Sequence, residues 1–600
     1  METTTRVPPR SEIPTEYTWD LTTVYADDAA WEAAVQALDA QLPAAERLQG
    51  SIRQGAEALL QALEFRDRLF RAMERLHVYA SLRKDSDSAD SAGQALTERA
   101  GSLLARLRAV FAFLEPEILS LPDETLRTWR ADEQRLSVYG HALDEVMRKR
   151  PHVRSAEVEN VVAQLSDVTR APGEIFNILT NADLTFPSIL DENNQPTGLS
   201  QGRYLRFMES SVRRVRQETF QGMHGAFRSV RNTIGTTLAA AVRNHVVQAR
   251  IHRYASALEA SLHPNDVPVD VYHNLLATVE DNLPRLHRYM RLRRRLLGLD
   301  ELHYYDLYAP LVAEVDLTIP YAEATHTIRA ALEPLGADYV DVLDQAFRGR
   351  WIDVYENVGK RSGAYSGGAY ETAPFILLNY QNTLNDMFTL AHELGHTGHS
   401  YFTRHAQPFV YGDYTIFVAE VASTLNETLL TDHLLRTRDD APLRKHLIVQ
   451  QMEDIRTTII RQTMFANFEL AIHQMTEAGQ PLTAENLSQR YFDVVRLYYA
   501  AELELDDDVA IEWARIPHFY YNFYVYQYAT GLSAALALSK QILSEGRPAV
   551  ERYLRFLSSG SSQSPIDLLR EAGVDMTTPE PIQQALDTFD QLLTQLEAMA

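Results

Sequence analysis

The 600 residues contain no cysteine at all. That excludes a disulfide framework, a thiolate metal site and a thiol nucleophile, so any transition metal must be held by histidine and carboxylate. Long apolar runs are missing too: nowhere do about 18 consecutive apolar residues occur, which removes a membrane-spanning helix. Lysine is scarce, with Lys84, Lys149, Lys360, Lys445 and Lys540 standing among 57 basic residues. A GC-rich genome produces that arginine bias without any mechanism. Excess positive charge is also lacking, since 57 Lys+Arg against 81 Asp+Glu give −24. Such a charge opposes binding to nucleic acid or anionic lipid. Met1 to Pro14, with Thr3, Thr4, Thr5, Pro8 and Pro9, has neither the basic flank nor the apolar stretch of a secretory signal, so the cytoplasm is the expected location.

What is present is an ordinary globular composition, 45% hydrophobic and 23% charged. The length exceeds what one core serves and predicts at least two lobes with room for a cleft. Apolar residues recur every three or four positions, as in Leu59, Leu60, Leu63, Leu69, Phe70, Met73 and Leu76, so the fold is expected to be mainly α. Leu184 to Ser200 interrupts this with a turn-rich Asp191-Glu192-Asn193-Asn194-Gln195-Pro196 and reads as a small hairpin. It suggests an N-terminal helical region over 1–200 and a catalytic region over 201–600. Gly359, Gly363, Gly367 and Gly368 form a second break, without phosphate-loop spacing, followed by the strand-like Pro374 to Tyr380. Either that strand or the glycine-rich stretch could pair with an extended peptide backbone.

Beyond the strand, Asn382 or Thr383 can cap a helix, with Asp386 completing a capping box. The helix carries His392-Glu393-Leu394-Gly395-His396. Residues four apart project from one face, so both imidazoles can reach one tetrahedral ion about 2.0–2.1 Å from each nitrogen. Glu393, beside the pair, can act as general base on water activated by the ion. With 19 histidines, independent draws would supply such a pattern about 4% of the time, so its surroundings must decide. A catalytic zinc needs a third protein ligand, and His399, Glu420 and Glu427 are the candidates. Glu420 sits beside the apolar face of a helix over Tyr414 to Leu430, which could close the site if antiparallel to the first. Helix geometry puts His399 a turn too far and favours a supporting or substrate-side role; Glu427, seven residues beyond Glu420, suits orientation of a ligand histidine.

These residues resemble a known family. The run Asn379-Tyr380 through Thr389 to His399, then Phe417-Val418-Ala419-Glu420-Val421-Ala422-Ser423-Thr424-Leu425-Asn426-Glu427, is similar to the oligoendopeptidase F group of the thimet oligopeptidase-like zinc metallopeptidases. The likeness extends to Trp19-Asp20-Leu21, to Gly359-Lys360-Arg361-Ser362-Gly363-Ala364-Tyr365 and to the aromatic segment around His518. It implies one Zn2+ per chain on His392, His396 and Glu420, and two helical lobes around a deep substrate channel with a small β-sheet beside the active-site helix. The zinc-binding core would span about 359–435 and the substrate-binding aromatic segment about 515–531. His518 matches a loop histidine, and tyrosines of Tyr520 to Tyr528 match residues that bind substrate and its oxyanion. Helical spacing sets Tyr521, Tyr524 and Tyr528 on one stripe and Tyr520 and Tyr526 elsewhere. Tyr521 and Tyr528 are taken with His518 and Glu393 as catalytic, and Tyr524 as substrate-binding.

The expected activity is cleavage of internal bonds in short unfolded oligopeptides, with no nucleic acid or membrane partner. A zinc carboxypeptidase of similar helical fold and a non-catalytic peptide-binding protein are the rival readings. The first would need a basic residue for a C-terminal carboxylate, and the second leaves Glu393 without purpose.

Overall fold

Apolar spacing of three and four residues becomes helix where the sequence carries it. Leu59, Leu60, Leu63, Leu69, Met73 and Leu76 are buried along α1 (Ala56–Ser86), and Leu103, Leu107 and Phe111 along the helix Ser91–Phe111 packed on it. The computed structural model describes residues 6–312 and 317–599. Among them strands are confined to a two-stranded hairpin and a three-stranded sheet, so the chain is mainly α. No described helix is long and apolar enough to cross a membrane.

Two compact units alternate along the chain. The first takes Met1–Pro151, Asp316–Leu434 and Leu538–Gly573, and the second His152–Val315, Leu435–Ala537 and Val574–Ala600. A division after residue 200 is linear, whereas these units return to one another's sequence; the 184–200 hairpin lies inside the second.

The first unit gathers Trp19, Trp31, the buried face of α1, Phe375 and Leu377 into one core. Helix α2 (Ala337–Arg348) is followed by strands β1 (Ile352–Asp353), β2 (Tyr365–Gly367) and β3 (Phe375–Leu377) in the spatial order β1-β3-β2. β3 runs parallel to β1, with Ile352 opposite Ile376, and antiparallel to β2, with Tyr365 opposite Leu377. All three β3 residues are buried, which is why the run is continuously apolar rather than alternating. Of the two segments that could pair with a peptide backbone, the strand drops out because both its edges are taken, whereas β2, from the glycine-rich stretch, lies at the sheet's edge. That stretch is packed at Gly359 and Gly368, while Arg361 to Gly363 between them are exposed. Gly359 has φ +81°, and a Cβ there would collide with Asp87, so both conformation and space demand glycine. Asp353 is wholly buried and pairs with Lys360 at 2.8 Å and Arg10 at 2.7 Å, tying the N-terminal segment to the sheet. Two long helices follow, α3 (Leu384–Ala406) and α4 (Ile416–Thr437).

The second unit contains the hairpin, Ser188–Leu190 against Pro196–Gly198, closed by a turn in which Asn194 has φ +60°. Its helices include Arg231–Ile251, α5 (Arg461–Glu477) and the start of α6 (Tyr526–Glu545). Buried Glu512 accepts from Arg461 at 2.6 Å and from the Tyr491 hydroxyl at 2.5 Å. Burial pushes its carboxyl up, but Arg461 and Arg515 outweigh that and hold it near about 2. This anchored charge fixes the Asp507–Arg515 run that leads into His518.

Candidate metal centre and active site

Helix α3 begins as its sequence predicts. Thr383 is the cap: its hydroxyl accepts the Asp386 N–H at 3.1 Å, while the Asp386 carboxylate accepts the N–H of Thr383 and of Gln381 at 2.9 Å each. Asn382 instead takes a left-handed turn, φ +65°. Nine residues into the helix come His392 and His396, one turn apart, their rings 4.9 Å apart and nearly perpendicular.

Helix α4 brings the carboxylates. Glu420 Oε2 lies 3.3 Å from His392 Nε2 and 3.5 Å from His396 Nε2. The other His392 nitrogen, Nδ1, is hydrogen-bonded to Glu427. The pairings 392 with 427 and 396 with 420 run in opposite senses, so the helices are antiparallel. What lets them close is Gly395: a Cβ there would stand 2.5 Å from the Ala422 carbonyl oxygen and from Ser423 Cα. Asn426 locks the contact, donating to the Ala391 carbonyl at 3.0 Å and accepting from the Tyr339 hydroxyl of α2 at 3.0 Å. Ser423 donates to Glu420 Oε2 at 2.9 Å and sets its rotamer. On the far side, Ser366 of β2 and Thr397 of α3 share a hydroxyl hydrogen bond of 2.9 Å.

The donor set fits a zinc-sized dication. One ligand atom from each of His392, His396 and Glu420 lies within 4.8 Å of the others, and the 3.3 and 3.5 Å separations match the edge of about 3.3 Å expected for a tetrahedron with 2.0–2.1 Å bonds. Burial opposes a proton on His392, yet the hydrogen bonds to Glu420 and Glu427 more than offset it and lift the imidazole to about 10. Burial likewise raises Glu420, but His392 and His396 outweigh it and hold the carboxyl far below its usual range. So much opposite charge in one pocket is what a cation replaces when it displaces the protons.

Glu393 differs from the other carboxylates. It is 6% exposed, its Oε2 is buried without a hydrogen-bond partner, and burial raises its carboxyl despite the opposing charge of His392 and His396. A carboxyl raised in this way and with one oxygen uncommitted is suited to taking and returning a proton. His399 stands outside the three-residue group. Its ring stacks on Tyr414 with centroids 3.6 Å apart, and burial, with His396 adding to it, pushes the imidazole down to about 3.

His518, on the turn Pro517–Tyr520 of the second unit, gathers Tyr521, Tyr524 and Tyr528, whose ring centroids lie 5.6, 6.2 and 6.0 Å away. The Tyr528 hydroxyl is 3.4 Å from His518 Nε2, and burial pushes that imidazole below its ordinary value. The helical-stripe reasoning is corrected here. Helix α6 starts only at Tyr526, and Asn522 and Phe523 take φ +51° and +59°, so a turn and not a helix face brings Tyr521 and Tyr524 together. Tyr520 does go elsewhere, stacking on Phe176 at 4.6 Å and hydrogen-bonding Thr237 at 2.8 Å. Reading the sequence missed Asn426, Ser423 and Tyr339. The small residues Ala422 and Ser423 opposite a glycine were the available signal for the first two; Tyr339, on a distant helix, had none.

Residues 206–588 match Peptidase family M3, and residues 117–186 match Oligopeptidase F. Oligopeptidase PepF of Bacillus subtilis (strain 168) is 44% identical over 594 residues, 99% of this chain and 89% of that protein. A crystal structure from Chlamydophila abortus superposes with a TM-score of 0.94 at 36% identity, covering 99% of this chain and 100% of that one. Oligoendopeptidase-F from Enterococcus faecium does so at 0.74 and 38% identity, over 95% and 99%.

Proposed function

The chain belongs to peptidase family M3 and is a metalloendopeptidase acting on oligopeptides, and from that premise we propose that its metal is zinc, held by His392, His396 and Glu420, with Glu393 as general base. The observation that carries the reading is the convergence of those three side chains beside an uncommitted Glu393 oxygen. Two imidazoles and a carboxylate, with no thiolate in the chain, suit zinc.

A zinc ion held there supplies Lewis acidity toward water and toward a peptide carbonyl. Glu393 accepts the proton that water loses as its oxygen attacks the scissile carbonyl carbon. It then delivers that proton to the amine nitrogen as the C–N bond breaks, so the carboxylate is regenerated. Glu427 holds His392 by its Nδ1–H and keeps Nε2 turned toward Glu420. His399, sealed against Tyr414, stays neutral and supports the back of α3. His518, Tyr521 and Tyr528, with Tyr524 beside them, are assigned to hydrogen-bonding the substrate and its oxyanion. Their clustering and the family resemblance support this, and one such donor can be worth about 2.7–4 kcal/mol in the transition state.

Two measurements test the reading. Glu393→Gln should keep one zinc per chain by elemental analysis while turnover falls roughly 10²–10⁴-fold. Substantial retained activity would remove the base assignment. A quenched peptide blocked at both ends should be cut internally, as read by mass spectrometry of the products; an intact blocked peptide, with trimming of a free C-terminus, would instead mark a carboxypeptidase.

A further inference from the structure

Within the second unit, the segment that presents Tyr521 and Tyr524 is conformationally unusual. Asn522 and Phe523 are consecutive non-glycine residues in the left-handed region, and for a bulky Phe that is an outlier needing outside support. Three hydrogen bonds provide it. The Tyr521 N–H donates to the His518 carbonyl at 2.9 Å, Ser261 donates its hydroxyl to the Asn522 carbonyl at 2.6 Å, and the Phe523 N–H donates to Glu469 Oε1 at 2.7 Å. The Tyr521–Asn522 end of the turn borders a cavity of about 460 Å³ lined also by Tyr520, Asn244 and His245, whereas Phe523 is buried.

Glu469 is the unusual partner. It projects from α5 into the interior, is 0% exposed, and its second oxygen, Oε2, is buried without a hydrogen-bond partner. Four residues on, His473 supports the same turn from below, its ring 4.3 Å from that of Phe523. His473 Nδ1 donates to the Glu469 carbonyl at 2.8 Å, which leaves Nε2 as acceptor for His245 Nδ1 at 3.1 Å. Tyr272 closes the other edge of Phe523 at 5.6 Å. A carboxyl placed so deeply, with a single backbone N–H as its polar contact, is an expensive way to fill a core and has a purpose in fixing that N–H.

We propose that Glu469 is a positioning residue: by accepting the Phe523 N–H it fixes the left-handed Asn522–Phe523 turn and thereby the placement of Tyr521 and Tyr524 around His518. The inference rests on the reading that this aromatic cluster binds substrate. Burial, opposed only by the Phe523 hydrogen bond, raises the Glu469 carboxyl to about 8. At neutral pH the group is therefore a neutral acid, and glutamine is its close mimic.

The test is steady-state cleavage of a doubly blocked quenched peptide by the zinc-loaded full chain, with zinc content and melting recorded for each variant. Glu469→Ala should lower kcat/KM roughly 10- to 100-fold with one zinc per chain retained, the scale set by displacing a binding group by about an ångström. Glu469→Gln, which keeps the acceptor, should restore kcat/KM to within about threefold of the parent. A folded Ala variant with unchanged kinetics, or a Gln variant as impaired as Ala, overturns the proposal. Should Glu469→Ala fail to fold, Glu469→Met asks the same question by filling the space without an acceptor for the Phe523 N–H, and parental kinetics there overturns the proposal equally. His518→Ala is the separate arm. If it lowers kcat/KM while Glu469→Ala does not, the positioning role fails and the substrate-binding reading stands. If His518→Ala changes nothing, that underlying reading has failed.

Discussion

His392 spends both ring nitrogens on carboxylates, Nε2 facing Glu420 and Nδ1 bonded to Glu427. The second contact fixes which nitrogen carries the proton, and so which can serve a metal. Glu427→Gln keeps an acceptor for Nδ1–H but removes the charge, and zinc affinity measured by chelator competition should fall about 10–100-fold while the fold persists. Affinity equal to that of the parent would make Glu427 a bystander. At this scale much was legible. The four-residue spacing of His392 and His396 and the seven-residue spacing of Glu420 and Glu427 survive into the structure because each pair lies on one uninterrupted helix. Spacing grouped Tyr521 and Tyr524 for the wrong reason, because neither lies in a helix, and the turn that gathers them is built from Asn and Phe rather than from the glycine that would have announced it.

Between elements, the contact of α3 with α4 depends on a missing side chain. Gly395→Ala would set a methyl 2.5 Å from the Ala422 carbonyl oxygen, backbone that cannot rotate away. Overpacking of this kind typically costs about 1–3 kcal/mol, and here the helices must part along the line that carries Glu420. The expected result is a lower melting temperature together with weaker zinc binding, seen by calorimetry and chelator competition. A variant with parental zinc affinity would show that α4 shifts without moving Glu420. The capping box at Thr383 was readable because capping is local chemistry. The packing role of Gly395 was not, since the same letter inside a metal motif says nothing about what lies opposite. The partners of the 375–377 strand were hidden for a similar reason, as pairing on both sides is set by residues elsewhere in the chain.

Over the whole molecule, several histidines are buried and neutral. Burial pushes His224 and His245 down to about 4, and His399 and His473 to about 3. A depressed histidine is unprotonated when folded and takes a proton when unfolded, so its contribution to stability is present above about 6.5 and is lost as pH falls toward its folded value. Glu469, raised to about 8, has the opposite sign over 4.5–8, and Glu393 and Glu74 are raised as well, but His77 and His518 are depressed too and add to the four. Melting temperature should therefore fall as pH drops from about 6.5 to 5, each histidine contributing on the order of 1–2 kcal/mol by the lower limit. Scanning calorimetry over that range checks it, and a flat profile would contradict neutral burial of these rings. The interleaving of the two units has its own consequence for synthesis. The first unit needs Leu538–Gly573, whose Leu557 carbonyl accepts the Thr403 hydroxyl at 2.8 Å and whose Phe556 lies 5.4 Å from the His399 ring. As the chain leaves the ribosome at about 5–20 residues per second, the motif helix emerges long before the residues that cover its back. For those seconds it is an unfinished surface, and a mature active site is among the last things this chain completes.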